Sequence, residues 1–92
     1  MVHALKTWPE PFQLVWDRRK LFEIRKSDRS FSAGDLLVLR EWDPCRGPWD
    51  KRQGYTGRAI VAEVRHVEYG TWGLPEDLAV LGIDIIDRQT RS

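Results

Sequence analysis

The sequence has one cysteine, one methionine and two histidines. A lone thiol, Cys45, excludes an internal disulfide framework. His3, His66 and Cys45 lack finger-like spacing, so no metal site is expected. Long apolar runs are missing as well. None approaches the roughly 20 residues that a bilayer-spanning helix needs. The opening MVHALKTWPEP has no hydrophobic signal core, which makes the cytoplasm the expected location and a membrane partner unexpected. Excess charge is absent too. A net charge of +1 argues against a bulk-electrostatic nucleic-acid binder. There is no Gly-rich phosphate loop and no inferable Ser-His-Asp arrangement, and no cofactor is expected.

What remains is a chain of 92 residues with 41% hydrophobic and 32% charged content, the composition of a single soluble globular domain. Charge is unevenly spread. Residues 17–29 hold six Lys/Arg against three Asp/Glu, and residues 71–87 hold four acids and no base.

Residues 17–43 organise the rest. In residues 20–26, Phe22 and Ile24 alternate with Glu23 and Arg25. Side chains of a strand alternate between faces, so this run is a strand with one apolar and one charged face. Turn formers at 27–30 and 33–35 follow, with Gly34 free to take positive φ. The continuous apolar run 36–39 reads as a strand buried on both faces.

Elsewhere, residues 2–6 form a first strand. Thr7 and Glu10 fit a capping box, and Phe12, Val15 and Trp16 recur at helical spacing, which predicts a helix over 9–18. Residues 43–57 are rich in Gly, Pro and charge and read as a long loop, in which Trp49, Lys51, Arg52 and Tyr55 either offer groups that suit base stacking or simply belong to a floppy hairpin tip. Residues 58–69 alternate as a long, curved or bulged strand, with Ile60, Ala62 and Val64 on one side. Residues 78–86 form the last strand, with Leu81, Ile83 and Ile85 on one side and Gly82 marking a bend or a close backbone approach, and residues 87–92 are a frayed tail. Many short strands joined by turns predict a partly closed barrel.

The candidate chemistry sits on Lys20, Glu23 and Arg25. A Lys and a Glu facing one cavity suit acid/base or amine chemistry, and an Arg beside them can clamp a phosphate, a carboxylate or a base edge. The same trio reads equally as an ion pair inside a barrel mouth. Five tryptophans, Trp8, Trp16, Trp42, Trp49 and Trp72, are many for this length. Trp16 fits the core. The others stand at element ends, where aromatics beside Arg and Lys suit a single-stranded nucleic acid or simply fill the rim of a small domain.

Taken together, His3-x-Leu5-Lys6, the K-x-x-E-I-R-K run at 20–26, D-R-x-F at 28–31, GDLLVLREWD at 34–43 and YTGR at 55–58 resemble the DUF3850 family. The likeness covers about residues 3–86 of a single domain spanning 1–92. That family is similar to the ASCH domains, relatives of the PUA domain. The resemblance implies an α+β, mainly β fold: a small barrel of five or six mostly antiparallel strands with one N-terminal helix. It also implies a role in RNA binding or RNA metabolism. The K-x-x-E-x-R signature of ASCH domains falls on Lys20, Glu23 and Arg25 and lines a cleft in that family. Some ASCH members are amidohydrolases that deacetylate acetylated cytidine with a Lys, a Thr and a distant Glu. Their Lys matches Lys20, their Thr falls on Glu23, and Glu76 is the only glutamate in the region of the third.

Three functions are therefore compared. The first is a binding module for RNA or a nucleoside-type ligand, using Lys6, Lys20, Glu23, Arg25, Lys26, Arg40 and Trp42. The second is a small hydrolase in which Lys20, Glu23 and Arg25 are catalytic. The third is a protein-interaction domain that uses the loop 44–54.

Overall fold

The computed structural model describes residues 1–44, 54–70 and 73–90. Cys45, Trp49, Lys51, Arg52 and Trp72 lie outside the described residues. Five strands and one helix follow in order: β1 (Val2–Thr7), α1 (Pro9–Trp16), β2 (Phe22–Lys26), β3 (Leu36–Trp42), β4 (Tyr55–Tyr69) and β5 (Leu78–Gln89). They form one curled half-barrel sheet in the order β1-β3-β4-β5-β2. Only β1 and β3 run parallel. A parallel pair needs a crossover connection, and α1 with β2 supplies it.

The core is the concave side of this sheet. His3, Leu5 and Thr7 point inward from β1, Leu37 and Leu39 from β3, and Ile60, Ala62 and Val64 from β4. Leu81, Ile83 and Ile85 do so from β5. Phe12 and Val15 of α1 are fully buried among them. Each large apolar side chain buried here contributes about 1.5–3 kcal/mol. Exposed ion pairs contribute roughly 0–1 kcal/mol, so the inward alternation decides the fold.

Several expectations change. The run 36–39 is fully buried only at Leu37 and Leu39, while Leu36 and Val38 are half-buried. Thr7 is the last residue of β1, not a helix cap; the cap position is Trp8 and has no side-chain hydrogen bond. The hydroxyl that the capping box would use is committed elsewhere. The helix stops at Trp16 because Arg18 enters the left-handed region at φ 61°. Arg19 N–H then donates to Leu14 O at 2.9 Å and Arg18 N–H to Val15 O at 2.9 Å. This closure usually places glycine where Arg18 stands. The strand expected from 58 starts at Tyr55, and β5 runs on to Gln89, into the supposed tail. Opposite Gly82 the ladder is irregular on the partner strand, with a register shift between Val64 and His66.

The apolar face of β2 is the outer one. Glu23 is 3% exposed, whereas Phe22 and Ile24 are 42% and 49% exposed. The cause is the seam between the two edge strands. Arg25 on β2 donates through Nη1 to Lys6 O at 3.1 Å and through Nη2 to Thr7 Oγ1 at 3.0 Å, both on β1. Its Nε donates to Glu23 Oε2 at 3.1 Å. A guanidinium thus joins edges that have no ladder between them.

At the other end, Asp35 gathers donors. His3 Nε2–H donates to Oδ2 at 2.8 Å, and Ser32 N–H donates to the same oxygen at 3.0 Å. The carboxylate only accepts, so Nε2 of His3 carries the proton. These bonds, His3 first, lower the Asp35 pKa from 3.8 to about 2. No helix among the described residues is long and apolar enough to cross a membrane.

Two predictions follow from these contacts. Arg25→Lys keeps the charge but replaces the planar fork that reaches Glu23, Lys6 and Thr7 with a compact ammonium. It should lower stability by about 2 kcal/mol in urea unfolding; an unchanged midpoint would mean that packing alone closes the seam. Asp35 has a folded pKa below its unfolded value, so it favours folding above pH 3.8. That contribution is lost as pH falls through about 2. Asp35→Asn should therefore be less stable at neutral pH and less acid-sensitive across that window. Parallel acid-unfolding curves for the two proteins would contradict this.

Candidate functional site

The turn after α1 delivers Lys20. Lys20 N–H donates to Leu14 O at 3.1 Å, which holds the residue at the entrance to β2. Its Nζ lies 3.6 Å from Glu23 Oε1 and 5.2 Å from the centre of the Phe22 ring. Arg25 completes the group on the inner face of β2. The three residues expected together are together. Their spare capacity is uneven: Arg25 donates to Glu23, Lys6 and Thr7, all within the protein. Glu23 Oε1 is buried, and among the described residues nothing hydrogen-bonds to it.

Lys6, Arg40 and Trp42 form a second group, on the convex side. Lys6 and Arg40 are register partners across β1 and β3, and both are exposed. Lys6 Nζ sits 4.5 Å from the Trp42 ring centre. The Arg40 guanidinium lies 4.0 Å from the Tyr55 ring centre. Trp8 and Trp42 meet at 6.2 Å with a tilt of 50°. Cations and aromatic rings thus alternate along one outer row. Among the described residues no carboxylate pairs with Arg40. Lys6 joins the two groups only through its backbone, since its carbonyl accepts from Arg25 while its side chain faces outward. Lys26 belongs to neither; it lines the seam beside Leu5, Asp28, Arg29 and Phe31.

A third arrangement escaped the sequence reading. Between Arg40↔Ala59 and Trp42↔Tyr55, a single residue of β3, Glu41, faces three of β4, Thr56, Gly57 and Arg58. This is an enlarged bulge, with two extra residues on β4, and Gly57 at φ 94° lets the backbone make it. The buried Glu41 carboxylate organises it. Oε1 accepts from Thr56 Oγ1 at 2.6 Å and from Arg58 Nε at 2.9 Å, and Oε2 accepts from Arg58 Nη2 at 2.8 Å. The Glu41 hydrogen bonds raise the Arg58 pKa above its ordinary value. Gln13 Oε1 also accepts from Arg58 Nη2, at 2.8 Å. The guanidinium lies over Phe12 and Trp16, at 5.0 and 4.8 Å, tying the bulge to α1. The signal was there in the T-G-R run: a glycine within a strand marks a bulge.

The sequence profile of the DUF3850 family, described as a domain of unknown function, matches residues 2–83. The chain belongs to the DUF3850 family. This DUF3850 domain is also similar to an uncharacterized 12.9 kDa protein in the GpA 3' region of Escherichia phage P2. The two are 36% identical over 67 residues, which is 72% of this chain and 53% of the phage protein. The chain therefore spans about half the length of that relative.

Glu41→Gln removes the charge that holds Arg58. It should cost about 2 kcal/mol of stability and persist in 1 M salt, since screening acts mainly on exposed pairs. Guanidinium-free unfolding by urea at two salt concentrations checks both points. A loss that vanishes in salt would show the pair to be a surface one.

Proposed function

We propose that this domain binds single-stranded RNA, or a nucleotide from it, along the outer row Lys6–Trp42–Arg40–Tyr55 with Trp8 at its end. The observation that carries this reading is the pairing of each cation with a ring on neighbouring strands. Bases stack on the aromatic faces, and every base has such a face, so the site tolerates many sequences. Trp8, at 56% exposure, offers the most open ring. Phosphates meet Lys6 and Arg40. The near-neutral chain then attracts RNA locally rather than through its overall charge.

A second reading, a hydrolase of acylated nucleosides or RNA, is favoured by one feature. Glu23 Oε1, in an ion pair with Lys20 Nζ at 3.6 Å, is buried and accepts no hydrogen bond among the described residues, and such an acceptor favours an incoming donor such as a base amine. Arg25 serves that site by positioning Glu23, because each of its three nitrogens already donates within the protein.

Titration of single-stranded RNA oligomers, followed by tryptophan fluorescence, separates the two. The double variant Lys6→Ala/Trp42→Ala should weaken binding about 10- to 100-fold. The salt slope of the native protein should be shallow, about −1.4 for two phosphate contacts on a single strand. Unchanged affinity in the double variant would refute the outer row. The hydrolase reading instead predicts cleavage or deacylation of an acylated cytidine that Lys20→Arg abolishes.

A further inference from the structure

The bulge does more than tie β4 to α1. By setting one residue of β3 against three of β4, it parts the strands and opens a groove of about 490 Å³ on the sheet. Small-molecule sites fall in the range of about 300–1,000 Å³. Val38, Gly57 and Ala59 line it with no side chain larger than valine, leaving a flat apolar shelf. Arg40 and Tyr55, stacked at 4.0 Å, stand at one side. Gln89 stands at another, with its Nε2 donating to Asp87 Oδ2 at 3.1 Å. Glu41 neutralises Arg58 at the groove's inner end, and Arg40 keeps its charge without a carboxylate partner among the described residues.

We infer that this groove holds one unstacked nucleobase, and that it gives the RNA-binding row its preference among bases. The inference rests on the RNA reading, because Arg40 and Tyr55 belong to both row and groove. The row holds the strand by stacking and phosphate contact, which carries little sequence information. The groove supplies what the row lacks. A base lying on the Val38–Gly57–Ala59 shelf excludes water from apolar surface. Its phosphate lies within reach of Arg40. Its edge meets the Gln89 amide, which offers a carbonyl acceptor and a second N–H donor beside it. A side-chain amide pairs with adjacent donor and acceptor positions on a base edge.

The test uses AMP, CMP, GMP and UMP, together with the four homopolymeric RNA oligomers, against the full chain. Ala59→Leu places a branched side chain on the shelf without changing charge. Val38→Phe fills the same space from the neighbouring strand and guards against a folding defect in the first variant, which circular dichroism would reveal. The native protein should bind at least one mononucleotide and rank the four oligomers. Either filled variant should lose about tenfold in mononucleotide affinity and flatten the ranking, while still binding RNA through Lys6 and Trp42. RNA binding with ranking and affinity unchanged in both filled variants would overturn the groove and leave the row standing. Mononucleotide binding that the filled variants remove, with RNA affinity indifferent to Lys6→Ala/Trp42→Ala, would support the groove and overturn the row. Absence of binding to any of these probes would overturn both.

Discussion

Arg25 holds together two edges that no backbone ladder joins. The sheet begins and ends at β1 and β2, and edge strands expose unpaired backbone groups. A side chain on one edge satisfies a carbonyl on the other, so closure costs one guanidinium rather than a sixth strand. Glu23 depends on the same group. A carboxylate at 3% exposure is tolerated only when paired, because burying an unpaired charge costs several kcal/mol. Lys20 and Arg25 supply the pairing on two sides. The seam therefore explains why β2 turns its charges inward and leaves Phe22 and Ile24 on the outside.

The seam also divides the polar chemistry of the domain. Thr7, Glu23 and Arg25 face inward, and Arg25 donates to both of the others. Lys6 and Arg40, one step along in the alternation, face outward with Trp42 and Tyr55. Glu41 follows the inward rule, and its burial forces the Thr56–Arg58 bulge. One periodicity of two thus produces a closed ionic interior and a cationic, aromatic exterior. The groove lies where the bulge interrupts that periodicity.

Strand positions were legible where apolar residues alternate over long runs. Ile60, Ala62 and Val64 on β4, and Leu81, Ile83 and Ile85 on β5, were each grouped on one side, and that side is the buried one, because burial of apolar surface decides it. The co-location of Lys20, Glu23 and Arg25 was legible for the same reason, since alternation alone puts Glu23 and Arg25 on one side. Alternation could not say which side of β2 is inner, because that depends on Thr7 and Lys6, some eighteen residues away. The capping box at Thr7 failed similarly: a local pattern lost to a distant guanidinium. The division of Lys6, Arg40 and Trp42 from the Lys20 group was also hidden, because sequence shows residue types and not the curl of a sheet. Glu41, Thr56 and Arg58 were missed because Gly57 was taken for the end of a loop.

The central claim is that RNA meets the convex face and not the ionic interior. Chemical-shift mapping of the ¹⁵N-labelled domain, titrated with a short single-stranded RNA, tests it most directly. The account predicts the largest shifts at the backbone amides of Lys6, Trp8, Arg40 and Tyr55 and at the Trp42 indole, with Glu23 and Ile24 little changed. Shifts concentrated at Lys20, Glu23 and Arg25, with the Trp42 indole unmoved, would contradict it.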